Sequence, residues 1–80
     1  MKSIEINPKN AETFYHCGIA LQALNFEEQA CLSYGQAVVI DPTHSKAFYN
    51  LGNSQFNLKQ YELAVVSYEK SADLDKYNFN

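Results

Sequence analysis

The stretch Phe48-Tyr49-Asn50-Leu51-Gly52 decides the fold, because its outline also stands earlier in the chain as Phe14-Tyr15-His16-Cys17-Gly18. Aligning the chain with itself, so that Phe14 falls on Phe48, gives eleven identical pairs among 46. Unrelated sequences with average residue frequencies would give roughly three. The identities fall on aromatic, glycine and small apolar positions, where packing geometry is demanding. The sequence therefore contains an internal duplication with a period typical of helical repeats.

Each unit predicts two helices, because its apolar residues recur at the i, i+3, i+4, i+7 spacing of a half-buried helix. The two stripes of the first unit are Phe14, Cys17, Gly18, Leu21, Leu24 and then Ala30, Tyr34, Ala37, Val38. Those of the second unit are Phe48, Leu51, Gly52, Leu58 and then Tyr61, Ala64, Val65, Tyr68, Ala72. No segment has the pattern of a strand. The predicted fold class is all-α.

The ends of the helices carry their own signals. Asn10 and Asn25 are the predicted N-caps of the first and second helices, and Glu28 stands where a capping box places its glutamate. The second helix is predicted to end at Asp41, because the ring of Pro42 disfavours helical backbone at the residue before it.

Two glycines, Gly18 and Gly52, occupy equivalent positions in the middle of a helix. Glycine costs about 1 kcal/mol relative to alanine at such a position. Its recurrence indicates that another helix approaches closely at both sites. We expect the small residues Ala30 and Ala64, on the second helix of each unit, to be the partners.

These residues together resemble the tetratricopeptide repeat (TPR) family. Residues 47–53 are similar to the first helix of its motif, residues 61–64 and 67–71 are similar to the second, and Asp41-Pro42 matches its usual closing dipeptide. The resemblance covers nearly the whole chain as one domain. Residues 11–44 form one repeat, 45–78 the next, 1–10 the tail of a preceding repeat or an N-terminal cap, and 79–80 a tail.

The resemblance implies a right-handed α-solenoid of antiparallel helix pairs, whose first helices line a concave groove. Positions one residue off the buried stripe predict the groove residues: Tyr15, Ile19, Tyr49, Asn50, Asn53 and Phe56. Their rings suit apolar side chains and their amides suit an extended backbone. The alternative is that the rings pack on neighbouring helices. A clamp for a C-terminal carboxylate is not expected, because Tyr15 and Ile19 replace its lysine and asparagine.

The function implied by the resemblance is that of a non-catalytic scaffold that binds a protein or peptide segment in the groove. One alternative is a substrate-recruiting fragment of a larger enzyme such as a glycosyltransferase. Another is a self-assembling structural element without a peptide ligand. No cofactor is expected in any of the three.

The composition argues against several other classes of protein. The net charge is −3 and all six basic residues are lysines, scattered singly, so no basic face for nucleic acid is predicted. No apolar run approaches the roughly 18–20 residues of a membrane span, and the N-terminus lacks a signal-peptide core. We therefore expect a cytoplasmic protein without membrane insertion.

The cysteines and histidines do not predict chemistry. Cys17, Cys31, His16 and His44 lack the spacing of a zinc finger, so no metal site is expected. No acidic residue is placed to orient a Cys–His pair, so no catalytic residue is expected. Both cysteines are predicted to be small core residues.

The C-terminal end of the repeat stack is predicted to be open. About three repeats are usually needed to bury a continuous core. Tyr68, Ala72 and Leu74 would therefore form a bare face on the last helix. Either the chain is a segment of a longer array, or this face makes a homo-oligomer, including a head-to-tail stack.

Overall fold

The structure is a computed structural model that describes residues 8–76, with the side chains of residues 10–76. Within this range the chain forms four helices and no strand: α1 (Pro8–Ala23), α2 (Glu27–Ile40), α3 (Ser45–Asn57) and α4 (Tyr61–Lys76). Each helix packs mainly on its neighbours along the chain, α1 on α2, α2 on α3 and α3 on α4. The all-α repeat fold is confirmed. Most of the predicted N-terminal tail, and residues 77–80, lie outside the described residues.

Both predicted asparagine caps are wrong. α1 already contains Pro8 and Lys9, so Asn10 lies inside the helix and is not its N-cap. α2 begins at Glu27, and Phe26 at its N-cap position makes no side-chain cap. Asn25 instead follows the end of α1 with a φ of 68°. It closes one helix and does not open the next.

The turn around Asn25 satisfies the end of α1 through the backbone. The N–H of Phe26 donates to the carbonyl of Leu21 at 2.8 Å, and the N–H of Asn25 donates to that of Gln22 at 2.9 Å. This pair of bonds around a left-handed residue is a Schellman motif. The turn after α3 has the same form at the equivalent position of the second unit, with Lys59 at a φ of 67°.

The core of each helix pair is built where a tyrosine ring lies on a glycine. A Cβ atom added to Gly18 would lie 2.5 Å from the ring of Tyr34, and one added to Gly52 would lie 2.8 Å from that of Tyr68. Glycine is therefore required by a ring, and the expectation that Ala30 and Ala64 are the partners is wrong. Both alanines are nevertheless buried beside the rings.

The predicted apolar stripes are right at the centre of the fold and wrong at its two ends. The buried apolar residues include Ala30, Tyr34, Ala37, Leu51 and Ala64. The stripe residues that are exposed instead are Cys17, Leu24, Tyr61, Val65 and Ala72. They lie on or directly after α1 and on α4, the first and last described helices, and each of these helices packs mainly on one other helix. The prediction of Cys17 as a core residue is wrong, and Cys31 is half-buried.

On α4 the inward face is small and polar. Ser67 and Ser71 are buried beside Ala64 in place of the predicted Val65 and Ala72. The Ser67 hydroxyl donates to Oε1 of Gln55 at 2.7 Å. This bond explains how Gln55 is accommodated on the buried face of α3, since a buried amide without a partner would be costly.

Candidate functional site

A cleft of about 370 Å³ opens where the N-terminal part of α3 meets α1 and the end of α4. Its lining combines two phenol rings, an amide, a lysine, a carboxylate and two hydroxyls: Tyr15, Tyr49, Asn50, Lys46, Asp75, Ser45 and Ser71. Such a mixture can contact apolar side chains and hydrogen-bond a peptide backbone in the same place. We take this cleft as the candidate site.

The two tyrosines of the cleft are held by the tyrosines of the core. Tyr15 packs on Tyr34 with ring centroids 6.1 Å apart, and Tyr49 packs on Tyr68 at 5.6 Å, both at an interplanar angle of 51°. Tilted rings at these distances attract one another. Tyr15 is half-buried, whereas 54% of Tyr49 is exposed. The cleft therefore offers Tyr49 as its accessible ring.

The core tyrosines in turn fix the amides beside the cleft. The Tyr34 hydroxyl donates to Oε1 of Gln22 at 2.6 Å, and the Tyr68 hydroxyl donates to Oδ1 of Asn53 at 2.5 Å. Burial raises the pKa of Tyr34 to about 12, against a smaller lowering effect of the nearby Asn50 amide. Burial likewise raises the pKa of Tyr68, and the nearby Tyr49 adds to this. Both phenols thus stay neutral donors at physiological pH.

His44 joins the two helix pairs next to Tyr15. Its Nδ1 accepts the backbone N–H of Ala47 at 3.1 Å, which caps the start of α3. Nε2 therefore carries the proton and donates to Oε2 of Glu12 on α1 at 2.8 Å. The imidazole also packs on the ring of Tyr15, with centroids 4.8 Å apart. This single side chain sets the position of α3 against α1 at the edge of the cleft.

A second polar connection surrounds Glu27 at the start of α2. Nε2 of Gln22 donates to its Oε2 at 2.8 Å. Burial pushes the pKa of Glu27 up, but Gln22, together with the neighbouring Asn57 and Ser54 of α3, lowers it further, so the pKa lies below its ordinary value. The ionised carboxylate therefore supports the contact between α2 and α3.

The structure brings together some of the predicted groove residues and separates others. Tyr15, Tyr49 and Asn50 line the cleft. Ile19 is exposed on α1 and does not line the cleft. The side-chain oxygen of Asn53, Oδ1, accepts the hydrogen bond of the Tyr68 hydroxyl. Phe56 lies near the end of α3 and packs on Tyr61, with centroids 5.3 Å apart. The cleft therefore contains the part of the predicted groove that lies at the N-terminal halves of the helices.

Two cleft residues, Ser71 and Asp75, come from α4, which was predicted to contribute none. They continue the inward face of α4 at the spacing Ala64, Ser67, Ser71, Asp75, which is i, i+3, i+7, i+11. This spacing was readable in the sequence, but it is masked by the more apolar stripe of Val65 and Ala72 on the same helix.

The residues predicted for self-association differ in exposure. Ala72 is exposed on α4 and Leu74 is half-buried. Tyr68 packs inward on Gly52 and bonds Asn53, so its ring belongs to the core of the second helix pair. The large apolar residues of α4 that are exposed are Tyr61, Leu63, Val65 and Val66.

Two further observations limit the chemistry of the described residues. No three His, Cys, Asp or Glu side chains among residues 8–76 gather closely enough to hold a metal ion. None of the four helices is both long and apolar enough to cross a membrane.

Comparison with known protein families agrees with this architecture. Residues 45–78, which contain α3 and α4, match the family model described as Tetratricopeptide repeat. A comparison with curated proteins finds no match. The preceding helices follow the same plan, with a tyrosine on a glycine and a left-handed residue in the turn. Residues 45–78 of this all-helical chain therefore form a tetratricopeptide repeat by this match, and the four described helices are consistent with two such repeats.

Proposed function

We propose that this chain is a non-catalytic interaction module that binds an extended segment of another protein in the cleft between α1, α3 and α4. Tetratricopeptide repeats generally mediate protein–protein interactions. The observation that carries the proposal is the cleft itself, about 370 Å³ in volume and open beside the exposed ring of Tyr49.

The lining of the cleft supports a peptide ligand. Tyr49 offers an aromatic surface at little entropic cost, because its ring already packs on Tyr68. Asn50 offers an amide to a peptide backbone, as strand-like ligands require. Lys46 and Asp75 stand in the same cleft and provide opposite charges for the side chains or the terminus of a ligand.

The experiment is a selection of binding peptides from a random displayed library, followed by calorimetry on the recovered sequences. We expect Tyr49→Ala and Lys46→Ala each to weaken binding about tenfold or more, the loss typical of a central contact residue. Asn53 is left intact, because its loss would release the Tyr68 hydroxyl and disturb the fold.

The matched control is Leu32→Ala, which removes an exposed apolar side chain on α2, outside the cleft. It should leave the affinity unchanged. Recovered peptides that bind the Tyr49 and Lys46 variants as tightly as the parent chain would place the binding surface elsewhere. A selection that recovers no binder at all would also count against the proposal.

A further inference from the structure

The contact between α2 and α3 joins the two helix pairs, and its residues have counterparts at both ends of the fold. Leu51 of α3 is buried against Ala30 and Tyr34 of α2, with Cys31 and Val38 packed around them. The repeat offset, which relates Phe14 to Phe48, gives each of these residues a counterpart in the other unit. The counterparts of the α2 set are Ala64, Val65, Tyr68 and Ala72 on α4, and the counterpart of Leu51 is Cys17 on α1.

These counterparts define two exposed surfaces. The α4 face consists of Tyr61, Val65 and Ala72, of which Tyr61 and Val65 are 52% and 53% exposed. The α1 face consists of Cys17, Ala20, Ala23 and Leu24, all of them exposed, with Leu24 at 62%. The α4 face corresponds to the side of α2 on which α3 packs. The α1 face corresponds to the side of α3 that packs on α2.

One charged residue, Glu69, stands between Val65 and Ala72 on α4. Its counterpart on α2 is Gly35, where an added Cβ would meet nothing within 4 Å. The internal interface therefore leaves open space at this position. A partner docked in the same register would leave room at this position for the start of the Glu69 side chain.

Two polar residues near the internal interface have apolar counterparts on the outer faces. Glu27 of α2 corresponds to Tyr61 of α4, and each contacts the preceding helix of its own pair: Glu27 accepts from Gln22 at 2.8 Å, and Tyr61 packs on Phe56. About half of Tyr61, 52%, stays exposed on the α4 face. Asn57 of α3 corresponds to Ala23 on the α1 face. Both positions are therefore apolar on the outer faces.

The apolar side chains near these positions have apolar counterparts as well. Cys31 of α2 and Leu58, after α3, line one cleft of about 290 Å³ at the internal interface. Their counterparts are Val65 on the α4 face and Leu24 on the α1 face, both more than half exposed. Docking one outer face on the other in the same register would bring these two apolar side chains to the same cleft.

The polar edge of the internal interface also has a compatible counterpart. His44 donates to Glu12 there. The counterpart of His44 is Asn10 on α1, and that of Glu12 is Lys46 on α3. A lysine ammonium group can donate to the amide oxygen of an asparagine. In the docked pair Lys46 would thus be the donor and Asn10 the acceptor, the reverse of the internal pair, and a hydrogen bond could form at the same place.

We propose that a second copy of this chain docks its α1 face on the α4 face, in the register that α3 takes on α2. The paired surfaces are unlike, so the contact is head-to-tail and leaves one free α1 face and one free α4 face at the ends of every assembly. Such a contact adds further copies as the concentration rises. The continuity of the internal interface carries the proposal, independently of any ligand in the cleft.

The test is sedimentation equilibrium of the 80-residue chain over a range of concentrations, with circular dichroism to establish that each variant is folded. Val65→Lys blocks the α4 face and Ala20→Lys blocks the α1 face. The matched control is Val39→Lys, the same substitution at a residue of α2 that is 71% exposed and lies on neither face.

We expect the mass of the parent chain and of Val39→Lys to rise above the 9.1 kDa of one chain as the concentration increases. Each blocked variant should stay at the mass of one chain. An equimolar mixture of the two blocked variants should reach twice that mass, because one intact face remains on each. A monomeric parent chain or a monomeric mixture would overturn the proposal. So would an Ala20→Lys variant that still dimerises, since it would show pairing of two α4 faces.

Discussion

Replacing Gly18 by alanine should destabilise the chain, although alanine is the better helix former. The added Cβ would lie 2.5 Å from the Tyr34 ring, well inside ordinary van der Waals contact. The ring cannot move aside easily, because it is fully buried and its hydroxyl is bonded to Gln22. Overpacking of this kind costs about 1–3 kcal/mol, and for a ring held at both ends we take about 3 kcal/mol.

Removing glycine from a helix restores about 1 kcal/mol, so the net loss for Gly18→Ala is about 2 kcal/mol. In a domain of this size that lowers the melting temperature by roughly 8–16 °C. The matched control is Gly35→Ala, also within a helix, where an added Cβ would meet nothing within 4 Å. It should stabilise the chain by about 0.5–1 kcal/mol.

The assay is urea denaturation followed by the circular dichroism of the helices. It is applied to Gly18→Ala, Gly35→Ala and Tyr34→Leu, and to Gly18→Ala combined with Tyr34→Leu. A leucine removes the ring edge that the Cβ would strike, so alanine should cost less in that background than in the parent chain. If Gly18→Ala is as stable as Gly35→Ala, the close approach of ring and backbone does not explain the glycine, and the reasoning fails.

Two further predictions concern the contacts between the helix pairs. In a denaturation experiment, His44→Ala should lower the free energy of unfolding by about 1–2 kcal/mol, because it removes both the cap on Ala47 and the bond to Glu12. His44→Asn keeps an N-cap residue and should lower it less. Equal losses in the two variants would show that the cap contributes nothing. Glu27→Gln should lose roughly 0.5–1 kcal/mol at pH 7, as expected for a partly solvated charge. The pKa of Glu27 is lowered in the folded state. The parent chain should therefore be more stable than Glu27→Gln at a pH above the ordinary pKa of a glutamate. This difference in stability should disappear as the pH falls through the pKa of Glu27 in the folded state. A gap between parent and Glu27→Gln that persists in acid would contradict this assignment.

The fold was predictable because its strongest signals in the sequence are local and repeated. The period of the duplication and the spacing of apolar residues locate two helix pairs, and the glycines locate a close contact. The partner of each glycine was not predictable by size alone, since a small residue and a flat ring both allow a close approach. Tyr34 and Tyr68 were predicted as stripe residues, but their contact with the glycines depends on the crossing of two helices.

The helix ends were predicted less well, because side-chain and backbone capping compete. Asn25 has the right chemistry for an N-cap, yet it also tolerates the left-handed conformation better than most residues. The backbone bonds of the Schellman motif settled the competition in favour of the end of α1. At the equivalent position Lys59 adopts the same conformation without that tolerance, and the same pair of backbone bonds closes the turn there.

The candidate site was partly predictable for a geometric reason. Tyr15, Tyr49 and Asn50 lie at the N-terminal halves of their helices, where the cleft is. Phe56 lies two turns beyond Tyr49, a distance of roughly 10 Å along the helix axis. Whether α4 lines the cleft depends on how the end of α4 crosses α3. The periodicity of apolar residues within one helix does not predict that crossing.

The tyrosine ring on each glycine has a consequence for any further unit of the repeat. A ring is rigid and flat, so it fills the contact between two helices with a layer of fixed thickness. The same ring lies on the same glycine in both pairs, so α1 meets α2 and α3 meets α4 through one kind of contact. A further unit that kept these two residues would keep the same contact between its own helices.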